Sequence, residues 1–402
     1  MSRRLAVPTA AVLSLALAAS AHAAPTQTVT TVRTGPAGTK FYTPPSPLPG
    51  KRHGDLIWAR TLTGAAVARG ASSTKVVLYR STSTDGKAIA VSGIVSIPKG
   101  KAPKKGWPVI TYAHGTTGIA DQCAPSRDVA GTPVHPYNAY ILPLVTRWLK
   151  AGYAVVRTDY EGLGTPGVHP YLIGTSAGRS TMDIVRAARV LDPRVSKNTI
   201  ISGHSQGGHA ALWAAGVAAK WTPELRVRGT VAFAPASHLE DQIPLTSQLA
   251  TPGGGLSGLI SDIVRGLDAA YPQGNVAAGL TDAAAALYPQ TLTQCLPELS
   301  QPASFGGLAP KDIFKPDADL AAVAQLLKAN DPAILTRIKT PLRIEQGAAD
   351  TTVFPVYTDQ LVKDLVKNGN TVTSKSYPGV DHAGVVNAAA ADATTWIAQR
   401  LR

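Results

Sequence analysis

Hydrophobic and polar positions change period along the chain. "KVVLYRST" (75–82) and "KAIAVSGIVSIP" (87–98) are β-branched and alternate, which predicts two antiparallel strands. From there the pattern switches between short apolar runs and helical spacing. "WPVITYAHG" (107–115) reads as a strand, "YNAYILPLVTRWLKAG" (137–152) as one helix and "YAVVRTDYEGLG" (153–164) as a strand with its loop. "STMDIVRAARVL" (180–191) has apolar residues at helical spacing, "NTIISG" (198–203) is a short buried strand, "HAALWAAGVAAKW" (209–221) is a helix and "GTVAFAP" (229–235) is a strand. Far downstream come strands in "TPLRIEQGAAD" (340–350) and "TVTSKSYPG" (371–379), a helix over about 356–367, and a last helix to Arg402. Strands alternating with helices imply an α/β fold, with a mostly parallel eight-stranded sheet covered on both faces.

Two segments break that alternation. Residues 236–337 are rich in Ala, Leu, Gly and Pro, and "LSGLISDIVRGLDAAYP" places Leu256, Leu259, Ile260, Ile263, Val264 and Leu267 on one helical face. This predicts a helical cap (lid) inserted after the sixth strand. At the other end, "FYTPPSPLPG" (41–50) cannot be helical because of its prolines, so 24–50 reads as an extended arm. The core is then 51–235 with 338–402. Before the arm, Arg3 and Arg4, the short apolar stretch Leu5–Ala19 and the small residues Ala21 and Ala23 have the form of an export signal over 1–23, cleaved before Ala24. The expectation is a secreted, extracellular protein, with a monomer as its expected state.

Composition narrows the function classes. Charged residues are only 16% of the 402, too few for a disordered chain. The net charge of +14 is spread out; the densest basic cluster, Lys99–Lys105, has no interleaved aromatics, which argues against nucleic-acid binding. Cys123 and Cys295 form no Cys-x-x-Cys pair, so zinc-knuckle and thioredoxin-like sites are unsupported, and one disulfide is the simplest use of two cysteines in an exported protein.

Two pentapeptides, GTSAG (174–178) and GHSQG (203–207), fit the Gly-x-Ser-x-Gly nucleophile elbow of α/β-hydrolases. The elbow needs a strand, a sharp turn and a helix. Ser205 has all three, with Gly203 and Gly207 leaving room for a strained serine backbone. Ser176 follows the proline-containing "HPYLIG" and reads as the N-cap region of the next helix. A serine needs a base, and in this architecture the order is Ser, acid, His. Asp350 ends "RIEQGAAD", past the seventh strand; His382 lies in "SYPGVDHAG", past the eighth. His382 would take the serine proton, and Asp350 would fix the imidazole. His204, His209, His114 and Asp381 compete less well by position. The oxyanion needs two backbone amides, assigned to Gln206 and to Thr116 of "AHGTTG", with Thr117 as the alternative. This chemistry requires no metal and no cofactor.

The chain also resembles the secretory lipase family of capped α/β-hydrolases. The residues carrying the likeness are "FYTPPSPLPG" with "GDLIWAR", "YAHGTTGIADQCAPS", "TDYEGLGTPGVHPYLIG", "SGHSQGGHAALWAA", "GAADTTVFP" and "DHAG". The resemblance implies a triad at Ser205, Asp350 and His382, a large cap, and metal-free hydrolysis of carboxylic esters of lipids. The expected partner is a lipid or small-molecule ester, with transient contact to a lipid surface through the cap. Two alternatives stay open: an acyltransferase that uses the same triad to pass the acyl group to an alcohol or cell-wall glycan, and a binding protein on a hydrolase scaffold.

Overall fold

The computed structural model describes residues 32–401. The expected export signal and the start of the arm lie outside the described residues. Nine strands form one sheet: β1 (Leu56–Thr61), β2 (Ala71–Thr82), β3 (Ala88–Pro98), β4 (Trp107–Ala113), β5 (Ala154–Thr158), β6 (Val195–His204), β7 (Arg226–Phe233), β8 (Leu342–Gly347) and β9 (Val372–Tyr377). Their spatial order is β1-β2-β3-β5-β4-β6-β7-β8-β9. β1, β2, β3 and β5 pair antiparallel, and every pair from β5 through β4 to β9 is parallel. The sequence reading had eight strands. The extra one is β1, a six-residue edge strand whose "LIWART" is too short and too mixed to alternate clearly.

In the central parallel strands β4 to β7 both faces carry buried apolar residues because each is covered, whereas the edge strand β9 is polar and mostly exposed. Successive residues point to opposite sides. Val109, Val156, Ile201 and Ala232 join one core, packed by the helices Gly174–Leu191 and Gln206–Trp221. Their neighbours Ile110, Val155, Ile200 and Val231 join the other, packed by Leu142–Lys150 and Ala390–Leu401. The single helix expected over 137–152 is two, His135–Ala139 and Leu142–Lys150. Pro143 is the cause: its ring collides with the carbonyl of residue 139 in a continuous helix, but suits the first turn of a new one.

The arm is not extended throughout. Gly38–Tyr42 makes one 3-10 turn ahead of the prolines, burying Phe41 and Tyr42. The Trp58 indole of β1 donates to the Phe41 carbonyl at 3.0 Å.

Between β7 and β8 the chain adds nothing to the sheet. Its helices Leu239–Thr246, Gly255–Ala270, Asp282–Leu287 and Leu320–Ala329 enclose a separate apolar cluster around Val264, Leu267, Phe305 and Ile313. Cys123 and Cys295 are bonded, with Cα atoms 5.5 Å apart across 172 positions of sequence. The bond ties this segment to the loop after β4. No helix among the described residues is long and apolar enough to cross a membrane.

Candidate active site

Every residue expected at the site follows the carboxyl end of a parallel strand, where open parallel sheets collect ligands. Ser205 sits between β6 and the helix Gln206–Trp221, with φ +58° and ψ −120°. That conformation is costly for a serine and is enforced by its surroundings. The Ser205 N–H donates to the Phe233 carbonyl at 2.9 Å, and its carbonyl accepts from the Ala236 N–H at 3.2 Å. The flanking glycines are required by space. A Cβ on Gly203 would overlap the Gly207 carbonyl, and one on Gly207 would overlap that of Ala113.

Asp350 lies three residues past β8 and His382 five past β9. His382 Nδ1 is 2.7 Å from Asp350 Oδ2. The other carboxylate oxygen accepts from the Thr352 and Val353 amides at 2.8 and 2.9 Å. Burial opposes ionisation of Asp350, but the bond from His382 and these amides outweigh it, and its carboxyl is held below the usual range. An ionised acceptor there makes Nδ1 the protonated nitrogen and leaves Nε2 free to act as a base. Ser205 and His382 line one cleft, without a direct hydrogen bond between their side chains. Catalytic contacts commonly tighten only when substrate binds.

His204 holds His382 from behind. Its Nε2 donates to the His382 carbonyl at 2.8 Å, and its Nδ1 accepts from the Tyr140 hydroxyl at 2.6 Å. Burial, reinforced by the charge of His382, pushes the His204 pKa well down, so it serves as a neutral donor. The sequence showed His204 only as a poor base. Its partners are 178 and 64 positions away, and no local signal announces them.

The amides proposed for the oxyanion are also placed. Thr116 lines the cleft, whereas Thr117 is fully buried behind it, with its carbonyl accepting from the Leu296 N–H at 3.0 Å. Neither the Thr116 nor the Gln206 N–H has a backbone acceptor. His114 and His209 are structural: His114 Nδ1 is 2.7 Å from the Gly115 carbonyl and His209 Nε2 is 2.8 Å from that of Asn330. Asp381 caps the following turn by accepting from the Gly384 N–H at 2.8 Å.

Ser176 does not line the cleft. It lies in the first turn of the helix Gly174–Leu191, but it does not cap a backbone amide as the sequence suggested. Its hydroxyl donates to the carboxylate of Glu161 in the loop after β5.

The cleft has a volume of about 720 Å³ and is walled on one side by Leu245, Leu249, Leu256 and Leu259 of the inserted segment. A second, apolar cavity of about 90 Å³ lies within that segment and shares Gln242, Thr246 and Leu256 with it. His238, Glu240 and Asp241 bring one ligand atom each within 4.8 Å of one another at the base of the segment. The His238 ring already contacts Asp241 and Asp364, at 3.2 and 3.4 Å, and this acidic group is separate from the cleft residues.

A family model described as secretory lipase matches residues 139–402. Lipase A of Moesziomyces aphidis is 29% identical over 240 residues, 58% of this chain and 49% of that protein. A secreted triacylglycerol lipase of Malassezia furfur is 27% identical over 200 residues, 48% of this chain and 37% of that one. A probable inactive lipase of Mycobacterium tuberculosis is 27% identical over 246 residues, 59% and 53% respectively. The chain spans about half or less of the length of these curated relatives. Among solved structures, Candida antarctica lipase A in its closed state matches with a TM-score of 0.75 at 24% identity, covering 89% of this chain and 84% of that one. The rice cell wall degrading esterase LipA from Xanthomonas oryzae matches at 0.66 and 23%, covering 84% and 94%. At such identities the likeness carries the fold, which is that of an α/β-hydrolase.

Proposed function

Since the chain belongs to the secretory lipase family, we propose that it is an exported carboxylic ester hydrolase acting on acyl esters of lipids. Ser205 Oγ attacks the acyl carbon while His382 Nε2 takes its proton. Asp350 stabilises the imidazolium, and the Thr116 and Gln206 amides receive the oxyanion. The imidazolium returns the proton to the leaving alkoxide, and an acyl-enzyme remains on Ser205. Water, deprotonated by His382, then releases the carboxylic acid.

The observation that carries this reading is the convergence of a strained Ser205 and a His382–Asp350 pair of 2.7 Å in one apolar-walled cleft. One relative is named a probable inactive lipase; the intact serine, base and acid here support an active enzyme. The segment 236–337 is the cap of this site. Its leucines wall the cleft and offer an apolar surface for an acyl chain. Export rests on the N-terminal signal pattern together with the disulfide, which suits an oxidising compartment.

The test is a series of p-nitrophenyl esters from acetate to palmitate, assayed with wild type and Ser205→Ala. Turnover that needs Ser205 is expected. Turnover equal in both proteins, or in neither, refutes the reading.

A further inference from the structure

The stretch "DYEGLGTPGVHPYLIG" marked the family resemblance, yet the chemistry above uses none of it. It forms the loop between β5 and the helix Gly174–Leu191, buried except at half-buried Glu161 and exposed residues 166–168. Gly162, with φ +66°, turns the loop back so closely that a Cβ there would lie 2.6 Å from the Val168 carbonyl carbon. His169-Pro170-Tyr171 is thereby carried under the cleft, with His169 and Tyr171 only 2% and 4% exposed.

Each of the two rings ends on a different oxyanion residue. The Tyr171 hydroxyl is 2.6 Å from Thr116 Oγ1, and His169 Nε2 is 2.8 Å from Gln206 Nε2. The His169 tautomer follows from its partners. Nδ1 faces the Glu161 carbonyl at 2.9 Å, which can only accept, so Nδ1 carries the proton and Nε2 accepts from the Gln206 amide. The His169 ring stacks on Tyr160 at 5.5 Å, whose own hydroxyl donates to the His114 carbonyl at 2.8 Å. Thr116 lies in the loop after β4 and Gln206 opens the helix after β6, and one tripeptide spans both.

We propose that His169 and Tyr171 are positioning residues that brace the two halves of the oxyanion hole against each other, fixing the separation of the Thr116 and Gln206 N–H groups. The proposal rests on the serine-hydrolase reading above. Oxyanion donors act only if they stand where the charge develops, and a donor on the loop after β4 would otherwise drift against one at the start of a helix. The brace therefore acts on kcat and on tetrahedral mimics, and leaves ground-state binding alone.

The experiment is a double-mutant cycle on the full protein. Wild type, Tyr171→Phe, Thr116→Val and the double variant are assayed with a p-nitrophenyl ester and with a boronic acid that becomes tetrahedral on the serine. Rates are divided by the number of sites titrated with a phosphonate, so that misfolded protein does not count. Thr116→Val keeps its N–H and loses only the hydroxyl that Tyr171 holds. Tyr171→Phe is expected to lower kcat and boronate affinity about tenfold in parallel, with KM unchanged, and to have less than a twofold effect in the Thr116→Val background. His169→Leu in wild type and in Gln206→Leu makes the matching cycle for the second arm. Unchanged kcat per titrated site in Tyr171→Phe, with a lower melting temperature, overturns the brace and leaves the hydrolase reading standing. Additive effects in both cycles overturn it likewise. A wild type that neither turns over ester nor reacts with the phosphonate overturns the hydrolase reading, and the brace with it.

Discussion

Asp262 is fully buried in the helix Gly255–Ala270, and neither of its carboxylate oxygens has a hydrogen-bond partner. Burial pushes its pKa well above the ordinary carboxyl value. The sign of the effect on stability follows. The unfolded chain releases this proton at about pH 3.9, whereas the folded chain keeps it to a higher pH. Between those two values the folded state binds more protons, so raising the pH favours unfolding by up to about 1.4 kcal/mol per pH unit. An asparagine at this position would have nearly the same shape and no proton to lose. Other buried acids pushed the same way, such as Asp159 and Asp183, are common to both proteins and cancel in the difference. The stability gap in favour of Asp262→Asn should therefore widen from pH 5 to pH 7, by about 1 kcal/mol for each pH unit over which the folded chain alone keeps this proton. Urea unfolding of both proteins at pH 5, 6 and 7 measures it. A gap that stays flat across this range, or narrows, refutes the argument that Asp262 is forced to keep its proton.

Two further outcomes follow from the same packing. Gly207→Ala would drive a methyl into the Ala113 carbonyl, so soluble, folded protein should be lost or its melting temperature sharply lowered; a stable, active Gly207→Ala protein would contradict the elbow geometry. Cys123→Ser with Cys295→Ser opens a loop of 172 positions, which chain entropy values at about 5 kcal/mol less any strain. Calorimetry should show a lower transition with the sheet core still folding, ester turnover should weaken, and thiol titration of the denatured, unreduced wild type should find no free cysteine.

The sequence was most informative where a local pattern carries a steric demand. "NTIISGHSQGG" specifies strand, turn and helix by itself, so Ser205 could be separated from Ser176. The order of Asp350 and His382 followed from strand ends alone, although β1 shifts their strands from seventh and eighth to eighth and ninth. Elements that depend on distant partners were less legible. Ser176 was read as a cap because Glu161, its real acceptor, sits in a preceding loop. Phe41 and Tyr42 looked like part of an extended arm because their burial depends on Trp58 of an edge strand. His169 and Tyr171 are not distinguished within their stretch by any local pattern, since their partners lie on the loop after β4 and at the start of a helix.

If Ser205 alone is the nucleophile, an alkyl phosphonate should label that serine and no other. Incubation with the phosphonate, followed by intact-mass measurement and peptide mapping, should find one adduct per chain, on Ser205, in wild type and in Ser176→Ala, and none in Ser205→Ala. An adduct on Ser176, or stoichiometric labelling that survives in Ser205→Ala, would contradict it.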